Sequence, residues 1–243
     1  MLTKTKAIVL HTIKYGESQL IVHLLTEQHG RMAFIQHVSA RGKGRGAGGK
    51  GLYQPATQLD IVFDHRPQMR LQRLREVRIA EPYTSIPFAA DKLSIALFLT
   101  EVLYHCTREE PRNGALFQYV AASLRWLDGA VAHYANFHLV FMMRMARFVG
   151  FFPNLDDYHD GDCFDLRGAT FCRRPPLHHD FLQPDEAARI CTLMRMNYES
   201  MRLFRLSRTE RNRIADLLVD YYRLHVASFP EPRSLAVVRE LFV

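Results

Sequence analysis

The sequence predicts an α+β fold in two parts: a small β-barrel domain over residues 1–80 and a helical domain over residues 81–243. Three observations carry that prediction. Apolar residues recur with a period of two up to about residue 80 and with helical spacing after Pro87. Turn-forming residues punctuate the first part at short intervals. The charge is also divided unevenly. Residues 1–80 hold 13 Lys and Arg against 5 Asp and Glu, whereas the remainder holds 19 against 20, so the whole excess of +7 sits at the front. With 48% hydrophobic residues, a chain of 243 can bury two cores.

The first strand spans residues 4–14, where Ala7, Val9 and Ile13 face opposite Ile8 and Leu10. Tyr15-Gly16-Glu17 turns the chain into a second strand at 19–26, and His29-Gly30 precedes a third at 31–38. Residues 57–63 and 69–80 supply two more. The last alternates imperfectly, setting Leu71, Arg73, Arg75 and Val77 against Gln72, Leu74, Glu76 and Arg78. Five short strands in about 80 residues close most economically as an OB-fold barrel, with an SH3-like barrel as the alternative.

Between the third and fourth strands runs Arg41-Gly-Lys-Gly-Arg-Gly-Ala-Gly-Gly-Lys-Gly51, with four cations, no anion and no large apolar residue. Such a run cannot be core. Glycine denies it a regular ladder and like charges repel, so it reads as a flexible basic loop suited to phosphates. Together with Arg66, Arg70, Arg73 and Arg75, the loop residues Arg41, Lys43, Arg45 and Lys50 make a candidate electrostatic track for a nucleic-acid backbone. Base stacking needs an exposed aromatic ring. Phe34 and Phe63 sit in strands and compete with core roles, which leaves Tyr53, beside the loop, as the favoured candidate.

Helical periodicity places helices over 91–107, ended by Glu109-Glu110-Pro111, and over 114–127 and 133–149. A further helix opens at Pro184-Asp185-Glu186. Ser207-x-x-Glu210 has capping-box spacing and opens another to about His225; a short one spans 234–242. The irregular segment 150–182 contains a hairpin, Cys163–Leu166 and Ala169–Cys172 about Arg167-Gly168. Asp156, Asp157, His159, Asp160, Asp162 and Asp165 crowd a turn-rich stretch there. They read as turn-capping carboxylates rather than as a two-metal nuclease centre. No phosphate-binding Gly-Lys-Ser/Thr loop, nucleophile elbow or His-Glu-x-x-His motif is present, so no catalytic residue is assigned and no enzyme is expected. The N-terminal residues lack the apolar core of a signal peptide, and no apolar stretch reaches membrane-span length. Four scattered cysteines make no disulfide framework, and a soluble cytoplasmic protein is expected.

Several motifs in collinear order resemble the RecO family of bacterial recombination mediators. They are Ala7-Ile-Val-Leu10, Tyr15-Gly16-Glu17, Thr26 with Gly30, the Gly/basic loop leading to Leu52-Tyr-Gln-Pro55, and Leu116-Phe117. Gly150-Phe-Phe-Pro-Asn-Leu155, Tyr221-Tyr222-x-Leu-His225 and Arg233–Leu241 complete the set. The resemblance implies an N-terminal OB-fold and a helical domain bearing a zinc-ribbon-like insertion. It further implies a protein of DNA repair and homologous recombination, associated with the nucleoid. Such a protein binds single- and double-stranded DNA, anneals single strands, and with RecR and single-strand-binding protein helps load RecA. A groove for the acidic tail of single-strand-binding protein is implied as well, with Arg125, Arg144, Arg147 and Arg202 available to flank it. Zinc-bearing members place Cys-x-x-Cys pairs where this chain has Tyr158 and Gly161, then Cys172 and Pro175. Three of four thiolates are absent, and His159, Cys163, Cys172 and His178 match no usual spacing, so no zinc is expected. Packing of Phe164, Phe171 and Phe181 is expected instead. The competing readings are an OB-fold RNA-binding or translation-associated module, a nuclease, and an interaction scaffold.

Overall fold

The computed structural model describes residues 1–37, 49–108, 112–156 and 158–242. Five strands, β1 (Leu2–Tyr15), β2 (Gln19–Thr26), β3 (Gly30–His37), β4 (Gln58–Asp64) and β5 (Leu71–Glu81), close into a barrel in the order β1-β2-β3-β5-β4. Every pairing is antiparallel except β3 with β5, which is parallel over Ala33–Ile35 and Leu71–Arg73. This is the OB-fold arrangement; the SH3-like alternative falls away.

Alternation explains the barrel interior. Ala7, Val9, Leu20, Val22, Leu24, Phe34, Leu59, Ile61 and Phe63 point inward and form one core. On β1, Ile8 and Leu10 point outward yet are also buried, because α1 (Ala90–Cys106) packs on that strand. A strand covered on both faces loses the polar half of its pattern, hence the unbroken run Ala7-Ile-Val-Leu10. The register shifts between Val9 and His11, where a bulge bends the strand.

Two helices, α1 and α2 (Gly114–Gly129), pack with the barrel in one compact unit, Met1–Gly129 with Pro232–Ser234. The connection after β5 is tied to α2 by one carboxylate. Asp128 accepts the backbone N–H groups of Thr84, Ser85 and Ile86, each at 2.8 Å. Burial would raise its carboxyl, but these three donors and the Thr84 hydroxyl pull it down to about 2. Lys92, 4% exposed, donates to Ser85 Oγ at 2.7 Å and to the Asp128 carbonyl at 3.0 Å. At the far end of α1, Glu101 accepts the N–H groups of Arg233 and Ser234, which ties Pro232–Ser234 to this unit.

The second unit, Ala130–Glu231 with Leu235–Val243, contains α3 (Phe137–Met145), α4 (Pro184–Arg195), α5 (Arg208–His225) and α6 (Leu235–Arg239). The capping box forms at α5: Ser207 Oγ accepts from Glu210 N–H and the Glu210 carboxylate accepts from Ser207 N–H. Two helices are shorter than the sequence predicts. His133 at φ +63° and Gly150 at φ +91° lie outside α3, and Phe242 at φ +58° lies beyond α6, all in left-handed conformations no helix continues through.

The insertion folds as a small sheet in the order β7-β6-β8, from β6 (Cys163–Asp165), β7 (Thr170–Cys172) and β8 (Phe181–Leu182). Phe164 and Phe171 meet at 4.8 Å between ring centres, and Tyr158 stands edge-on to Phe171 at 4.7 Å. His225 of α5 donates to the Leu166 carbonyl at 2.7 Å. Phe164 and Phe171 are the buried rings of this sheet, while Phe181 and Tyr158 are both half-buried.

Asp128→Ala leaves three backbone donors without their carboxylate and should lower unfolding free energy by about 2–3 kcal/mol in urea titration, with Asp128→Asn losing less.

Candidate nucleic-acid interface

With Leu20, Val22 and Leu24 turned inward, Ile21 and His23 of β2 stand on the outer face, and with Phe34 inward so do Ala33 and Ile35 of β3. On β5, Gln72 and Leu74 are buried while Leu71 and Arg73 face out. Register aligns Ile21 with Ile35, Ile35 with Arg73, and Ala33 with Leu71. The result is an apolar strip edged by guanidinium groups. A groove of about 670 Å³ follows it, floored by Ile35, Met69 and Leu71 and rimmed by Arg66, Arg73 and Arg75.

Gln72 sets the rim. Its buried amide donates to the carbonyls of Arg66 (2.8 Å) and Met69 (2.6 Å) and accepts the Arg66 N–H at 3.1 Å. The β4–β5 loop is thereby held with Arg66 and Arg70 exposed at its edge. Sequence reasoning missed this residue, although a polar side chain sharing the inward register with Leu74 was the available signal. With the register shift after Leu74, which turns Val77 toward the core, it accounts for the imperfect alternation of β5.

The arginines are not equivalent. Arg75 is held by Asp64, its Nε 2.7 Å from the carboxylate, and Arg78 by Asp60 at 3.1 Å. Arg66, Arg70 and Arg73 form no ion pair among the described residues. The outer face of β1 and β4 differs again, with Lys4 and Lys6 opposite Val62 and Asp60 and with Glu76 and Arg78 alongside on β5. Charges there cancel locally, whereas around Arg73 they do not.

Arg41, Lys43 and Arg45 lie outside the described residues, as does the side chain of Lys50. Chain connectivity places the run 38–48 directly after His37, the last residue of β3, whose strand floors the groove. Tyr53 corrects a sequence expectation. The turn Lys50–Tyr53 drops its ring into the barrel core at 1% exposure, and Thr12 Oγ1 donates to its carbonyl at 2.8 Å. A ring without an open face cannot stack a base. Phe34 and Phe63 are core as well, edge-to-face at 5.1 Å.

The rings on the outer side came from elsewhere in the sequence. His11 on β1 and His23 on β2 are register partners, and Tyr104 of α1 lies 4.9 and 5.1 Å from them, with the Arg31 guanidinium 4.6 Å above its ring. Burial, then the charges of Arg31 and His11, push His23 down to about 4.

The four arginines expected at a partner groove are divided between the two units. Arg125, in the barrel unit, pairs with Glu81 at 2.9 Å. In the helical unit, Arg144 donates through Nε and Nη2 to the Met196 carbonyl, Arg147 lies 4.2 Å over the Phe152 ring, and Arg202 stands exposed in the turn Met201–Leu203. The apolar slot of that unit lies between α4 and α5. It has about 140 Å³, lined by Leu193, Met196, Leu206 and Ile214, with Arg189 and Glu210 at the edge.

In the insertion the carboxylates close turns. Asp162 accepts the His159 N–H at 2.8 Å, and Asp165 accepts those of Arg167 and Gly168. Among the described residues, no group of three or more His, Cys, Asp or Glu side chains is arranged to hold a metal ion. No helix among them is long and apolar enough to cross a membrane.

Two family descriptions match in tandem: Recombination protein O N terminal over residues 1–83, and Recombination protein O C terminal over residues 88–235. The chain belongs to the RecO family. Proteins named DNA repair protein RecO from Bacteroides fragilis (48% identical over 243 residues) and Phocaeicola vulgatus (46% over 242 residues) align along 100% of both chains. So does one from Flavobacterium psychrophilum, at 32% over 243 residues. The RecO N-terminal match ends just past β5, which closes the barrel at Glu81.

Gln72→Ala strips two carbonyls and an N–H of their partner and should cost about 1–3 kcal/mol by chemical denaturation. Acid should also destabilise the fold. The neutral forms of His23 and of fully buried His138, pushed to about 3 by burial and the Arg211 charge, are favoured in the folded chain. The unfolded chain therefore takes up protons first. Stability is intact above the ordinary histidine value of 6.5 and falls as pH drops from there toward 4 and 3. Thermal unfolding followed from pH 7.5 to 4.5 checks this, and His23→Gln should flatten the upper part of the decline.

Proposed function

We propose that this chain acts in DNA repair and homologous recombination by binding single-stranded DNA along the outer face of β2, β3 and β5 and annealing complementary strands. The observation that carries this reading is the row of exposed, unpaired guanidinium groups, Arg66, Arg70 and Arg73, over an apolar strip on one face of an OB barrel. Phosphates gain there by releasing counterions, and the sugar edges gain by covering Ile21, Ile35 and Leu71. Arg75 engages DNA only by giving up Asp64, so it contributes less. The basic run Arg41–Lys50 adds four cations to the same domain.

Annealing follows from what the face lacks. Guanidinium groups screen phosphate repulsion, while few side chains on the strip can read base edges, so the bases stay available to a second strand. Double-stranded DNA binds through the same backbone attraction. The protein is read as a mediator rather than an enzyme, acting at the chromosome in the cytoplasm. In this proposal RecR docks on the barrel. The α4–α5 slot receives the apolar end of the acidic tail of single-strand-binding protein, with Arg189 at its edge, and the assembly helps load RecA.

The deciding experiment is annealing of complementary strands, naked and coated with the cognate single-strand-binding protein. Annealing in both states supports the mediator reading. Annealing of naked strands only leaves the barrel face and removes the tail slot. Failure at low salt, or a preference for RNA, returns the RNA-module reading. Arg66→Ala and Arg73→Ala should each reduce the magnitude of the log Kobs–log[salt] slope by about 0.7.

A further inference from the structure

The hairpin of the insertion sets two thiols side by side. Cys163 and Cys172 are register partners across β6 and β7, and directly opposed residues of an antiparallel pair project from the same face of the sheet. Both are free thiols; Cys163 is buried at 4% exposure and Cys172 is half-buried. Opposed residues in either kind of antiparallel pair lie roughly 4.5–5.5 Å apart at Cα, inside the roughly 4.4–6.8 Å range that disulfides span. That register sets the two backbones within disulfide range. Their positions are held on both sides: Phe164, next to Cys163, packs on Phe171, next to Cys172, and Asn154 N–H donates to the Ala169 carbonyl at 3.2 Å. The family function proposed above uses neither sulfur.

We infer that Cys163 and Cys172 form a reversible cross-strand disulfide when the protein meets a peroxide. Cys172, the more exposed, attacks first. Its thiolate takes one peroxide oxygen, the O–O bond breaks, and the other oxygen leaves as water after protonation, giving a sulfenic acid. Cys163 then attacks that sulfur, the S–O bond breaks, a second water leaves, and the S–S bond forms. Two thiols are oxidised by two electrons in all, and one peroxide is reduced. Dithiol reductants reverse the step. Burial, together with neighbouring Cys163, Asp165 and Asp162, keeps the Cys172 thiol protonated above its ordinary value. The reaction is therefore slow at neutral pH and quickens as pH rises. The bridge would fasten the two strands carrying Phe164 and Phe171.

The test is peptide mapping of the full chain after hydrogen peroxide, with remaining thiols blocked before digestion. The expected product is a linked pair of peptides holding Cys163 and Cys172, restored to two thiols by dithiothreitol, with a formation rate that increases from pH 7 to 9. Cys172→Ser should abolish the linked product without changing affinity for single-stranded DNA. Cys163→Ser should convert Cys172 into a sulfenic acid that a dimedone probe traps. A bridge to Cys106 or Cys191, higher oxidation of either sulfur without a bridge, or no loss of thiols would each overturn the inference. None of these outcomes bears on whether the barrel binds DNA, because the mapping is done without it.

Discussion

Closure of the barrel is the constraint on which the rest depends. β1 supplies it by pairing with β4 through Leu2–Ile8 and with β2 through Ala7–Tyr15, while the short parallel contact of β3 with β5 seals the remaining gap. Without that contact Ile35 and Arg73 would not be neighbours, and the apolar strip would have no basic rim. The strands are locally ordinary. What is special is that residues some 40 positions apart meet in a register that buries the polar side chain of Gln72. The loss of a clean pattern in β5 is the trace of that buried amide, which holds the loop carrying Arg66, and of the register shift that sets both Leu74 and Val77 against the core.

Electrostatics then divides one barrel into unlike faces. Where lysines and arginines face carboxylates, as with Arg78 and Asp60, exposed pairing contributes little to stability and leaves little field. Around Arg66 and Arg73 the groove also holds Asp64, but that carboxylate is paired with Arg75, so among the described residues Arg66, Arg70 and Arg73 have no ion-pair partner and the positive potential projects into solvent. The distinction does not follow from counting charge over residues 1–80. It follows from which side of the sheet each charge occupies.

The insertion shows how a small sheet holds together on aromatic contacts. Phe164, Phe171 and Tyr158 fill its interior, and α5 reinforces it through the bond from His225 to Leu166. Two of the carboxylates that looked like a cluster, Asp162 and Asp165, are spent on turn N–H groups, each serving its own bend. Local backbone geometry, not a shared ligand, explains why so many aspartates crowd so few residues.

Much of the fold was legible in the sequence because it is written locally. Period-two runs marked the five strands, Ser207 and Glu210 marked the start of α5, and turn residues marked the hairpin. Helix ends at His133 and Phe242 were misplaced because left-handed backbone at non-glycine residues leaves no clear compositional sign. Tyr53 was misjudged for a related reason: its glycine-rich neighbours suggest exposure, while the burial of its ring depends on the barrel that surrounds it. Tertiary structure alone decided that Tyr53 fills the core, that Gln72 props the rim, and that His11, His23, Tyr104 and Arg31 gather. Each joins residues that periodicity cannot relate, because side-chain burial and pairing are fixed by strand register and helix packing rather than by neighbours in the chain.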